Sequence, residues 1–191
     1  MVCLKTNKHH FKKKITSYKE QDAKKVRQYL ESLAALKGFP IVYIDETGID
    51  TYLYRKNARA PRGEKIYFKV SGRRFERTSI VSGQIGQTFV APMIYKESMT
   101  SDFFVEWFKQ ELLPSLKTPH VLVMDNASFH PKKILDELSI YAGHFFLPLP
   151  PYSPELNPIE QSWAILKKSV TELLRKMDSI TDAITYYLKT K

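Results

Sequence analysis

Between His120 and Asp125 the chain reads HVLVMD, four consecutive large apolar residues closed by a carboxylate. A run that short is below the length of a stable helix, and it leaves no polar face for water, so it describes a strand covered on both sides. Such a strand requires a sheet with packed layers above and below it. The same texture recurs at residues 41–45 (IVYID), again ending in an aspartate. Two buried strands with helical segments between and after them predict an α/β fold rather than α+β.

The remaining elements fit that frame. Residues 17–37 carry apolar positions at three- and four-residue spacing, with Ser17 and Glu20 as a capping box and Gly38 and Pro40 as the stop. Residues 78–85 and 88–95, separated by Gly86 and Gln87, predict a hairpin. Residues 100–113 predict a helix capped by Thr100 or Ser101 and ended by Pro114, 132–141 another helix, and 143–147 a short strand. Pro148, Pro150, Pro151 and Pro154 then block regular hydrogen bonding until Pro158, which suits the first turn of a helix capped by Asn157 and running to about Lys176. The expected architecture is a mixed sheet with helices on both faces, preceded by a basic N-terminal arm and helix. Its divisions are a basic arm and helix at 1–38, a core domain at 39–178 and a helical C-terminal tail at 179–191.

Composition narrows the class of function. The single cysteine, Cys3, rules out an internal disulfide and a thiolate metal cage. No apolar stretch approaches the roughly 20 residues of a membrane span, and the basic first 15 residues have no apolar core behind them, so neither export nor insertion is expected. The net charge of +10 is localised. Residues 1–38 hold 10 basic and 3 acidic side chains and residues 55–77 hold 9 and 2, which leaves the rest of the chain at −4. Basic segments beside an acidic body suit a polyanionic partner, because each neutralised phosphate releases condensed counterions. A solvated charged surface would look similar.

Asp45 and Asp125 end their predicted strands, the place where open α/β sheets carry their sites, and Glu160 opens a later helix. Carboxylates without histidine or cysteine partners suit Mg²⁺ or Mn²⁺. Two such ions, about 3.5–4 Å apart, support in-line phosphoryl displacement. Taken singly, each acid has an ordinary explanation: Asp45 and Asp125 as turn formers, Glu160 as a first-turn glutamate favoured by the helix dipole. Glu46, Asp50 and Glu155 compete for the same role. If both were helical, Glu155 and Glu160 would stand about 140° apart around the axis and could not both face one site.

Three blocks decide among these readings: YIDETG at 43–48, VMDNASFH at 123–130 and LPPYSPELNPIEQSWAILK at 149–167. They resemble the catalytic blocks of the mariner-like insertion-sequence transposases, members of the DDE superfamily with a ribonuclease-H-like fold. The likeness extends over about residues 12–176, and 34 residues lie between Asp125 and Glu160, the superfamily's separation. It implies that Asp45, Asp125 and Glu160 are the catalytic acids and hold two Mg²⁺ or Mn²⁺ ions. Glu46, Asn126, His130 and Lys167 are then candidates for contact with a ligand or with substrate. For His130 and Trp163 a packing role is equally consistent with the sequence. Arg55, Lys56, Arg59, Arg62, Lys65, Arg73, Arg74 and Arg77, in the segment after Asp45, are candidates for contact with the DNA backbone.

The resemblance further implies strand hydrolysis at an element's end and attack of the released 3′-hydroxyl on double-stranded target DNA, with no covalent protein intermediate. It implies a homodimer that pairs two ends, working in the bacterial cytosol at the nucleoid. Family members carry helix-turn-helix domains ahead of the catalytic domain, whereas 44 residues precede Asp45 here. The expectation is the downstream product of a split or frameshifted gene with a separately encoded helix-turn-helix subunit, or a decayed copy. Three functions remain open: a transposase catalytic subunit, a stand-alone ribonuclease-H-like nuclease, and a non-catalytic DNA-binding remnant.

Overall fold

The computed structural model describes residues 18–50, 65, 67, 77–127 and 130–190. Helix α1 (Ala23–Ala35) leads into strand β1 (Ile41–Asp50), followed by β2 (Arg77–Ile85) and β3 (Thr88–Tyr95). Helix α2 (Ser101–Trp107) continues through a π-helical turn (Phe108–Leu112) into the short α3 (Leu113–Ser115). Strand β4 (Val121–Met124), helix α4 (Lys132–Tyr141) and strand β5 (Phe145–Pro148) follow. A 3₁₀ turn (Pro154–Leu156) and helices α5 (Ile159–Leu173) and α6 (Ile180–Lys189) complete the order.

The five strands form one mixed sheet in the order β3-β2-β1-β4-β5. The β2–β3 and β1–β2 pairs are antiparallel, and β1–β4 and β4–β5 are parallel. Local chemistry sets these choices. Gly86, at φ +58°, supplies the left-handed residue that a two-residue hairpin loop needs. Helix α4 provides the crossover without which β4 and β5 could not run parallel.

Alternation along the strands divides the core between two faces. Val42 and Ile44 of β1, Val81 of β2, and Leu122 and Met124 of β4 pack with Phe104, Trp107, Phe108, Leu112 and Leu135 on one side. On the other, Ile49 and Ile80 meet Ile159, Trp163, Leu166 and Val170 of α5 and Ile180, Ala183, Ile184 and Tyr187 of α6. Beside them Val121 and Val123 meet Tyr29 of α1, with Leu33 and Leu36 at the margin. Both faces of β4 are therefore covered, which is why VLVM has no polar position.

Four expectations need correction. Strand β1 does not end at Asp45 but continues to Asp50, because β2 goes on pairing with it after β4 has stopped. Helix α1 is capped by Asp22, whose carboxylate accepts from the Lys24 and Lys25 N–H groups at 2.9 and 3.4 Å; Glu20 lies ahead of the helix and Ser17 outside the described residues. The helix of residues 100–113, capped by the Thr100 hydroxyl as expected, passes through Pro114. There the preceding π turn has moved the Leu113 N–H bond to the Phe108 carbonyl, and a wider turn tolerates a residue with no N–H to give. Finally, Asn157 does not cap α5: its side chain is turned inward and buried, with Oδ1 lacking a hydrogen-bond partner among the described residues.

Candidate active site

Ile44 and Met124 are the last register pair between β1 and β4, so the next residues on the two strands are Asp45 and Asp125. Parallel neighbours lie about 4.8 Å apart, and successive side chains alternate faces, so both acids project from the α5 side of the sheet. At that point the strands separate. β1 continues beside β2, with Asp45 opposite Ser82, while the chain leaves β4 through a turn in which the Ala127 N–H donates to Asp125 Oδ1 at 3.3 Å. The gap is a cleft of about 640 Å³. Its lining includes Asp45, Asp125 and Asn126 from the strand ends, the segment from Leu149 to Pro154, and Asn157 and Glu160 at the start of α5.

Glu160 reaches the cleft because of how α5 is docked. Ile159, Trp163, Leu166 and Val170 form its buried stripe, and Glu160 follows Ile159 on the exposed flank. Trp163 has two roles. Its ring stacks on Phe89 with centroids 4.8 Å apart, and its indole N–H donates to Asp45 Oδ2 at 3.0 Å.

The electrostatics reflect three acids sharing one cleft. Burial pushes the Asp45 carboxyl up to about 7; the Glu46 backbone N–H pulls it back, the charges of Asp125 and Glu160 add to the push, and the Trp163 indole opposes it. Glu160 is raised too, by burial first and then by the charges of Glu155 and Asp125. Among the described residues no three His, Cys, Asp or Glu side chains converge tightly enough to form a preformed ion cage. The acids share a cleft without closing on a point.

The other candidates fall into distinct places. Glu46, one residue after Asp45, faces the opposite side, where Tyr95 donates its hydroxyl to Oε2 at 2.8 Å. Its carboxyl is raised, mainly by burial, and Oε1 is buried without a hydrogen-bond partner among the described residues. His130 packs against Phe104 at 4.3 Å between centroids, and its Nε2 stands 3.5 Å from Asp125 Oδ1. Burial lowers the imidazole to about 4, Asp125 acting against that shift and Lys132 with it. Asn126 lines the cleft. Lys167 is exposed on α5 and is not part of the lining.

Glu155 lies in the 3₁₀ turn rather than on α5 and accepts a short hydrogen bond from the Gln21 carboxamide, while Asp50 is exposed at the far end of β1. Arg77 opens β2, and its guanidinium lies over Gly48, where a Cβ would collide with it. Lys65 is exposed. Arg55, Lys56, Arg59, Arg62, Arg73 and Arg74 lie outside the described residues. Two partners were not read from the sequence: the Trp163 indole on Asp45, whose signal was an aromatic three residues after Glu160, and the Tyr95 hydroxyl on Glu46, which had no signal.

Comparison with known proteins follows the same outline. The family model described as DDE superfamily endonuclease matches residues 40–183. The chain is similar to Mos1 transposase in its strand transfer complex, with TM-score 0.62 and 19% identity over 83% of this chain and 52% of that one. It is similar to the Mos1 paired-end complex with Mg, with TM-score 0.63 and 18% identity over 96% and 62%. The catalytic domain of Mos1 mariner transposase gives TM-score 0.56 and 16% identity over 90% and 84%. These likenesses are of fold, the ribonuclease-H-like arrangement of sheet and helices. The chain spans about half the length of the Mos1 chains in the strand transfer and left-end complexes. No curated protein matches it.

Proposed function

The chain belongs to the DDE superfamily of endonucleases, and from that premise we propose that it is a transposase catalytic core in which Asp45, Asp125 and Glu160 are the working acids. The observation that carries the proposal is their convergence on one cleft, two from adjacent parallel strands and one from the start of α5. That the matched folds are Mos1 transposase complexes supports strand transfer over simple nuclease action.

The donor set fits a divalent cation. Hard carboxylate oxygens suit Mg²⁺ or Mn²⁺, and the upward push on Asp45 by its neighbours is repulsion that a cation would relieve. Asp45, Asp125 and Glu160 would hold two such ions, which would lower the pKa of an attacking water and neutralise charge on a leaving oxygen. The chain's own groups do the rest. Trp163 fixes one Asp45 oxygen, and His130, wedged against Phe104, limits where the Asp125 carboxylate can swing.

In hydrolysis a water oxygen attacks phosphorus and the strand's oxygen leaves as a 3′-hydroxyl. In transfer that hydroxyl attacks a target phosphodiester and displaces the target's own 3′-oxygen. Double-stranded DNA is the substrate in both steps, and the basic segment 55–77 supplies backbone contacts. A homodimer and a separately encoded helix-turn-helix subunit complete the proposal, with the chain organised as a basic arm and helix at 1–38, a catalytic unit at 39–178 and a C-terminal helix.

The test is incubation of the purified chain with Mg²⁺ or Mn²⁺, a pre-nicked duplex carrying the element's end and a plasmid target, scoring cleavage and joining separately. Joining that disappears in Asp125→Asn supports the proposal. Cleavage without joining indicates a stand-alone nuclease, and a folded chain inactive with both metals indicates a DNA-binding remnant or an incomplete subunit.

A further inference from the structure

Tyr152 and Ala91 are the described non-glycine residues with positive φ, at +57° and +48°. A bulky side chain is strained in that region, and such strain persists only where surrounding structure imposes it. When a core imposes it, the side chain is buried. Here the opposite holds: Tyr152 is 57% exposed and stands in the lining of the cleft that contains Asp45, Asp125 and Glu160.

The turn beneath the ring is firmly built. Pro150 and Pro151 restrict the approach. The Gln21 carboxamide donates to Ser153 Oγ at 2.9 Å, to the Tyr152 carbonyl at 3.4 Å and to the Glu155 carboxylate. Tyr18, itself 52% exposed and part of the same lining, sets its ring 6.2 Å from that of Tyr152 at 44°. Two rings that close cannot admit a third between them, which would need about 7 Å. Tyr18 therefore braces Tyr152 and leaves an open aromatic face at the cleft.

We infer that Tyr152, braced by Tyr18, is a stacking platform for an unpaired DNA base beside the three acids. The inference rests on the proposed reading of the cleft as a DNA-cleaving site and adds the conformation of its substrate. A strand end released at a nick or cut frays from the duplex beside the cleft, which exposes a base face. Aromatic side chains receive such faces whatever the base identity.

The test uses the full chain and two duplexes of the same sequence, one blunt and one with a 3′ single-stranded overhang carrying 2-aminopurine. Wild type is expected to prefer the overhang and to quench 2-aminopurine. Tyr152→Gly relieves the positive φ, so it is expected to melt no lower than wild type, yet to lose the quench and about tenfold of the overhang preference. Tyr152→Phe, which keeps the ring, is expected to retain both. A Tyr152→Gly protein with quench and preference intact overturns the inference, as does a Phe variant as impaired as Gly. Wild type that binds and cuts the blunt duplex in an Asp125-dependent way without overhang preference overturns this inference alone; wild type that binds neither duplex overturns the proposed function with it.

Discussion

Adjacent residues in the first motif have opposite fates, and the reason is the two-residue period of a strand. Asp45 faces α5 and the cleft, whereas Glu46 faces Tyr95 on the other side, so the identical charge one position on cannot substitute. Asp45→Asn, Asp125→Asn and Glu160→Gln are each expected to cut the rate of strand cleavage at least about a hundredfold, with melting temperatures near wild type or above. Glu155→Gln is expected to leave cleavage largely unchanged, and parallel assays of the four proteins check the assignment of the third acid. Asp45 also gives the metal-free protein a pH signature. Its carboxyl is raised from the ordinary 3.8 to about 7, so the folded state holds the proton more tightly than the unfolded one. The resulting stability is full below about pH 4 and is lost as pH rises through 7. Denaturant titrations across that window should show wild type losing stability relative to Asp45→Asn, and saturating Mn²⁺ should shrink the difference. The three acids stood out because three motifs flank them, and the structure places all three in the lining of one cleft. The Trp163 contact was not, since an aromatic at helical spacing reads as core, and here it is core and ligand to Asp45 at once.

At the scale of elements, element type and order were legible and some of the ends were not. Interiors are set by hydrophobic periodicity, which is local; ends are decided by competition among caps and by pairing partners distant in sequence. Asp22, not Ser17 with Glu20, closes α1, and β1 runs five residues beyond Asp45 because β2 is there to pair with it. Asp22→Ala should therefore destabilise the fold by about 1 kcal/mol, read by denaturant unfolding, with Glu20→Ala near neutral. A Gly83→Ala change tests the α2 face of the sheet. The added Cβ would meet Val42 Cγ1 at 2.8 Å and Leu112 Cδ1 at 3.0 Å, so a loss of roughly 1–3 kcal/mol is expected from overpacking in a fully buried layer.

For the molecule as a whole, a covered β4 already implied layers on both sides, and the structure supplies α2 to α4 on one and α1, α5 and α6 on the other. The strand order was not legible, because nothing local states that β1 lies between β2 and β4. Charge acts at this scale too. With +7 in residues 55–77 and +10 overall, DNA affinity should fall steeply with salt, and the slope of log K against log salt should flatten by about 0.9 for each phosphate contact removed when Arg73 and Arg74 are changed to Ala. An unchanged slope would exclude that pair from the backbone contact.

The overhang of β1 beyond β4 makes the three acids unequal in how they move. Asp45 lies within a hydrogen-bonded ladder flanked by strand on both sides along its length, whereas Asp125 starts a turn and Glu160 opens a helix. Amide exchange should follow that order: slow protection around 44–48, and faster exchange at 125–127 and 157–160. On the proposed reading of the cleft, that order makes Asp45 the fixed jaw of the site and Asp125 and Glu160 the jaws that would adjust to DNA ends of changing shape, without disturbing the sheet that holds the molecule together.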